Sequence, residues 1–128
     1  MNSAVLDASA MLAVLNQEPG ADRLTDEILS TSACSTVNLA EVQSKLVHDG
    51  MPAKEAWLAT LNSISETVDF TPEHARLAGS LIAQTRPLGL SLGDRACLAL
   101  AIERNTPVYT ADRSWKKLSL TIPIHVIR

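Results

Sequence analysis

Apolar spacing changes several times along the chain, and each change marks an element. In SAVLDASAMLAVLNQ (3–17) the unbroken run Ala4–Leu6 gives way to apolar positions at Ala10, Leu12, Ala13 and Leu15. A short strand is therefore expected to pass through a tight turn into a helix. EPG at 18–20 breaks the pattern; ADRLTDEILS (21–30) then reads as one short amphipathic helix, and SACSTV (32–37) as a second strand holding Cys34. A longer helix is expected from Asn38 to Asp49, with Leu39, Val42 and Leu46 on one face and Gly50 as its stop. AKEAWLATLNSISE (53–66) repeats the helical spacing with Ala53, Trp57, Leu61 and Ile64 inward, and TVDF (67–70) is a small strand or an extended connector. Thr71 as N-cap with Pro72 at the first helical position starts TPEHARLAGSLIAQT, whose inner face is Ala75, Ala78, Leu81, Ile82 and Thr85. From Gly93 to Glu103 the residues Ala96 to Ile102 leave no polar side, so this helix is expected to be buried all round. TPVYTA (106–111) is a strand, DRSWKKL (112–118) a loop, and TIPIHVI (121–127) a last strand that Pro123 places at an edge.

Strands alternating with helices predict an α/β fold: a single three-layer domain over residues 1–128, with a central parallel sheet flanked by helices. No internal repeat or linker divides the chain. Aromatic residues are only 3% of it, so the core must be aliphatic, built from Leu, Ile, Val and Ala. Cys34 and Cys97 each lie in an apolar stretch without metal-ligand spacing, which reads as buried free thiols in a reducing compartment and so as a cytoplasmic protein. The opening MNSAVLD carries no basic segment and no long apolar run follows, so neither export nor membrane insertion is expected. The net charge of −3 means that any attraction to a polyanion must be local, with metal ions supplying part of it.

In a parallel sheet, ligands sit beyond the carboxyl ends of the strands. Asp7 and Asp112 each follow a predicted strand, while Glu41 and Asp94 fall in the first turn of a helix, so all four acids are candidates for one rim. Each also has a plain structural use. Ser91 with Asp94, and Asn38 with Glu41 in a looser form, match capping-box spacing, and Asp7 and Asp112 suit strand-end turns. Two carboxylates about 5 Å apart repel by roughly 3 kcal/mol at an effective dielectric near 20, against a typical domain stability of about 5–15 kcal/mol. Gathered together, the acids need a cation. Their oxygens suit Mg²⁺ or Mn²⁺, and such an ion performs phosphoryl chemistry readily.

At these residues the chain resembles the PIN-domain nucleases and, among them, the VapC-type toxins of bacterial toxin–antitoxin pairs. The resemblance runs through VLDASAMLAVLNQEPG, STVNLAEVQSKL, GLSLGDRACLALA and VYTADRSWKKL, nearly the whole chain. It implies a metal-dependent endoribonuclease holding Mg²⁺ or Mn²⁺, a VapB-like antitoxin partner and a homodimer. It also implies Asp7, Glu41, Asp94 and Asp112 as the catalytic and metal-ligating acids. Asp7 and Asp94 would be the principal ligands, and Glu41 and Asp112 would complete the pocket and orient water. Further candidates are Ser9, toward a ligand carboxylate or RNA or as a plain helix-start hydroxyl, Arg95, pointing outward toward phosphate or in a local ion pair with a neighbouring acid, and Arg113, Lys116 and Lys117, as cations that steer an RNA backbone or as a solvated loop. Trp115 is expected to cover the core beneath its loop rather than stack on a base, and His48, His74 and His125 receive no catalytic role. An aspartyl phosphotransferase would want a second acid where Ser9 stands. A noncatalytic metal-dependent RNA- or antitoxin-binding module is the alternative from another class.

Overall fold

In the computed structural model, which describes residues 4–128, the strands β1 (Ala4–Leu6), β2 (Ser32–Ser35), β3 (Glu66–Val68), β4 (Val108–Thr110) and β5 (Ile124–Val126) form one sheet. Its order is β3-β2-β1-β4-β5 and every pairing is parallel. The connections carry α1 (Ala8–Asn16), α2 (Asp26–Ser30), α3 (Thr36–His48), α4 (Ala53–Asn62), α5 (Pro72–Ser80), α6 (Ile82–Thr85) and α7 (Leu92–Arg104). Parallel strands require crossovers, and the crossover helices cover both faces of the sheet. The pleat of β1 shows this directly: Ala4 and Leu6 pack with Met11, Val42 and Ala56, while Val5 packs with Cys97, Leu98 and Leu100. The expected three layers are present, with α1, α3 and α4 on one side and α5 and α7 on the other. Cys34 and Cys97 belong to these opposite cores and are free thiols.

α7 is the most buried helix. Its residues Ala96 to Ala101 are all inaccessible, and burying Leu98 or Leu100 contributes about 1.5–3 kcal/mol each. Because all strands run the same way, their carboxyl ends share one edge. The chain order reverses between β1 and β4, and the crevice at such a reversal is where open α/β sheets place ligands.

Local expectations were corrected at five places. The segment 21–30 is a 3-10 turn (Ala21–Arg23) followed by α2, because Thr25 accepts from the Ile28 amide and begins a new helix. β2 ends at Ser35, whose hydroxyl caps α3, so α3 starts at Thr36 and Asn38 lies inside it rather than at its cap. α4 buries the small residues Ala56 and Thr60 against its neighbours, leaving Trp57 and Leu61 42% and 38% exposed; close helix approach wins over large side chains. The helix expected over 71–85 breaks at Leu81, after Gly79 and Ser80, and buries His74 rather than Ala75 and Ile82. Residues Arg113–Lys117 form a 3-10 turn capped by Asp112, with Trp115 wholly buried beneath it. Of the domain expected over residues 1–128, residues 1–3 lie outside the described residues.

Candidate active site

The end of β1 hands directly into α1, and Asp7 is the residue between them. It is the α1 N-cap: Oδ1 accepts from the Ala10 amide at 2.8 Å and from the Ser9 hydroxyl at 2.8 Å. Oδ2 accepts from the Thr110 hydroxyl at 2.6 Å, across the sheet from β4. Thr110 Oγ1 in turn accepts from the Asp112 amide at 3.1 Å, and Ser9 Oγ from the Ala111 amide at 2.9 Å. Two hydroxyls thus stitch the end of β4 to the end of β1, with the Asp7 carboxylate at the junction. Burial pushes the Asp7 carboxyl up to about 6 from an ordinary 3.8; its three hydrogen bonds oppose the rise and the charge of Asp94 adds to it.

Glu41 reaches the same rim from α3. Asn38 Nδ2 donates to its Oε1 at 2.8 Å, and the carboxylate lies against the backbone of Gly93, the residue before Asp94. Burial raises the Glu41 carboxyl above its usual range, with the Asn38 bond opposing and Asp94 reinforcing. Asp94, in the first turn of α7, closes a capping box: Ser91 N donates to its Oδ2 at 2.9 Å, and its own amide donates to Ser91 Oγ at 3.2 Å. Its carboxyl is also raised, chiefly by burial, with Asp112 adding to the effect. Asp112 is exposed and accepts through Oδ1 from the amide and hydroxyl of Ser114.

All four acids therefore lie at the carboxyl edge of the sheet, and Asp94 is the hub that senses Asp7, Glu41 and Asp112 electrostatically. As the side chains lie, no three His, Cys, Asp or Glu groups among the described residues stand close enough to grip one ion together. Asp94 and Asp112 each commit one oxygen to a local cap, leaving Asp94 Oδ1 and Asp112 Oδ2, along with Glu41 Oε2, without a hydrogen bond among the described residues.

The remaining candidates are placed differently. Ser9 holds Asp7. Arg95 turns away from the rim and donates from Nη1 to the Ala78 carbonyl near the end of α5 at 3.0 Å, neither outward nor in a local ion pair. Arg113 donates to the Arg128 carbonyl at 3.1 Å, while Lys116 and Lys117 are exposed on the turn after Asp112. An open groove of about 730 Å³ along α3, lined by Val37, Ala40, Glu41, Ser44, Lys45 and His48, meets the acids only at Glu41. Sequence reasoning passed over Thr110 and took Asn38 and Gly93 only as helix starts. Thr110 carried a signal, a hydroxyl two residues before an acid at the buried end of a strand.

A three-layer α/β domain with acids gathered at the reversal point of a parallel sheet defines the class. The PIN domain profile matches residues 4–120, and the chain belongs to the PIN domain family. No curated protein matches the chain at a significant level. Solved structures share the fold. VapBC from Salmonella typhimurium, in a DNA-bound complex, matches at 18% identity over 100% of both chains with a TM-score of 0.75. VapBC2 from Rickettsia felis, bound to a promoter DNA fragment, matches at 20% identity over 98% of each chain with a TM-score of 0.72. Mycobacterium tuberculosis VapC20, described as a sarcin-ricin loop cleaving toxin, matches at 17% identity over 94% of this chain and 99% of its own, TM-score 0.75.

Proposed function

We propose that the chain is a metal-dependent endoribonuclease, the toxin of a toxin–antitoxin pair, acting through Asp7, Glu41, Asp94 and Asp112. The observation that carries the reading is the meeting of Asp7, Glu41 and Asp94, far apart in sequence, at one edge of the sheet, with each carboxyl raised by burial and by a neighbouring acid. An all-oxygen donor set with unbonded oxygens on Glu41, Asp94 and Asp112 fits a hard divalent ion such as Mg²⁺ or Mn²⁺. Asp7 and Asp94 would be its principal holders. When bound, such an ion neutralises the phosphodiester and lowers the pKa of a water.

The chain's own groups supply the rest. Ser9, Thr110 and the Ala10 amide fix the Asp7 carboxylate in one orientation, so its placement costs nothing further when substrate arrives. Glu41 Oε2 is free to accept a proton from the attacking water. Lys116 and Lys117 lend local positive charge to an otherwise acidic chain. Arg95 and Arg113, with their guanidinium nitrogens on backbone carbonyls, serve the fold first.

The fold relatives include VapBC complexes, one of them bound to a DNA fragment from its promoter, and a sarcin-ricin loop cleaving toxin; for this chain a cognate antitoxin and a homodimer are part of the same proposal. The apolar residues left exposed, Trp57, Leu58 and Leu61 among them, provide area that such partners could cover. Buried free thiols suit the cytoplasm, and no helix among the described residues is long and apolar enough to cross a membrane. A noncatalytic RNA- or antitoxin-binding module draws its support from Asp94 and Asp112, whose bonded oxygens serve as caps. The deciding experiment incubates purified protein with RNA in Mg²⁺ or Mn²⁺ and then in EDTA. New RNA ends that vanish with chelator support the nuclease, whereas binding without new ends supports the module.

A further inference from the structure

Asn38 is almost wholly buried in α3, yet it caps nothing. Its Nδ2 donates to Glu41 Oε1 at 2.8 Å and to the Gly93 carbonyl of α7 at 3.0 Å. Both neighbours are acceptors, so only the amide nitrogen can face them; turned over, the amide would set oxygen against oxygen. Its Oδ1 finds no partner among the described residues. A buried amide with one end unbonded is a poor device for stability, and its worth lies in what the nitrogen holds. Gly93 completes the arrangement. A methyl group there would stand 2.4 Å from Glu41 Oε2, so the carboxylate can lie on the α7 backbone only because residue 93 has no side chain.

We propose that Asn38 is a positioning residue that, with Gly93 as the floor, seats the Glu41 carboxylate beside Asp94 and so sets the spacing of the acids contributed by α3 and α7. This rests on the reading of the rim as a metal-dependent site. Glu41 has three rotatable side-chain bonds and a like charge for a neighbour; untethered, it swings away. Asn38 spans the gap between the helices and keeps Oε1 engaged while Oε2 stays open.

The test measures Mn²⁺ affinity of the full chain by electron paramagnetic resonance, without RNA. Asn38→Ala is expected to weaken Mn²⁺ binding about 10-fold, as loss of an outer-shell partner does. RNA cleavage should lose kcat to a similar degree, with KM changed less than twofold. In a Glu41→Gln background the same Asn38→Ala change should cost no further Mn²⁺ affinity, because the group it seats is already altered. A loss that persists undiminished in that background, or no loss in either, overturns the proposal. If Asn38→Ala does not fold, the side-chain amide of Asn38 in the parent decides. Its protons should be protected from exchange and should shift on Glu41→Gln, and a solvent-like, unresponsive signal overturns the proposal. A parent that neither binds Mn²⁺ nor cuts RNA sinks the nuclease reading and this one with it. A parent that does both while Asn38→Ala behaves like it sinks this one alone.

Discussion

Asp7 and Asp94 each stand at the start of a helix, one at the N-cap of α1 and the other in the first turn of α7, but they are held in opposite ways. Asp94 is bonded only within its own turn, to Ser91 three residues before it. Asp7 is bonded by its own turn and also by Thr110, 103 residues along the chain, and is 3% exposed. The first carboxylate is placed by local sequence and the second by the assembled sheet. Asp94 can therefore release its cap and turn toward a ligand at modest cost, whereas Asp7 is fixed once the fold forms. One floor acid is rigid, and one rim acid is able to move.

The largest expected effect of breaking this contrast is at Asp7. Asp7→Asn keeps an acceptor for the Ala10 amide but loses the charge, so RNA cleavage should fall by more than the roughly 100-fold typical of an outer-shell loss. The metal-free protein should respond in the other direction. The folded carboxyl titrates near 6 against an ordinary 3.8, so the native state binds the proton more tightly. That contribution is fully present below about pH 4 and is lost as pH rises through about 6, an effect of about 3 kcal/mol. Thermal melts in EDTA should fall across this window for the parent, and Asp7→Asn should flatten the fall.

Asp94 comes next, and two variants separate its roles. Asp94→Asn retains an oxygen for the Ser91 amide, so it should abolish most cleavage while the metal-free protein stays as stable as the parent or becomes more so. Asp94→Ala loses that half of the capping box and should lower stability by about 1 kcal/mol in chemical denaturation. Equal, marked destabilisation by both variants would make the cap the main role of Asp94.

A smaller effect is expected at Thr110. Thr110→Val keeps the shape but removes the donor to Asp7 Oδ2 and the acceptor for the Asp112 amide. Cleavage should drop about 10-fold and stability by about 1–3 kcal/mol, read from kcat and from urea midpoints. The smallest effects belong to the cations. Lys116→Ala should weaken RNA binding a few-fold with a shallower salt dependence, and Arg95→Met should act on melting temperature more than on RNA affinity, because its guanidinium holds Ala78.

How much of this was legible in the sequence follows from the same contrast. The capping box at Ser91 and Asp94 is a spacing within four residues, and it formed as read. The strand ends at Asp7 and Asp112 were also visible, because the apolar period changes there and parallel topology sends both ends to one edge. Asn38 was not legible: it looked like a helix start because Ser35, the true cap, closes a strand-like stretch. Its partner Gly93 is 55 residues away, and no local pattern announces such a bond. Thr110 carried a signal in its spacing to Asp112, but its bond to Asp7 spans 103 residues, and the inward face of α4 was misread because helix packing selected Ala56 and Thr60 over Trp57 and Leu61. Local hydrogen bonding is written in spacing, while contacts between elements depend on packing that spacing does not encode.

The most direct measurement is an anomalous difference map from crystals soaked in Mn²⁺. The expected result is a peak within bonding distance of oxygens of both Asp7 and Asp94, with Asp94 turned from its cap and Asp7 unmoved. A map with no peak at this edge of the sheet, or with a peak that touches only one of the two acids, would contradict a shared ion.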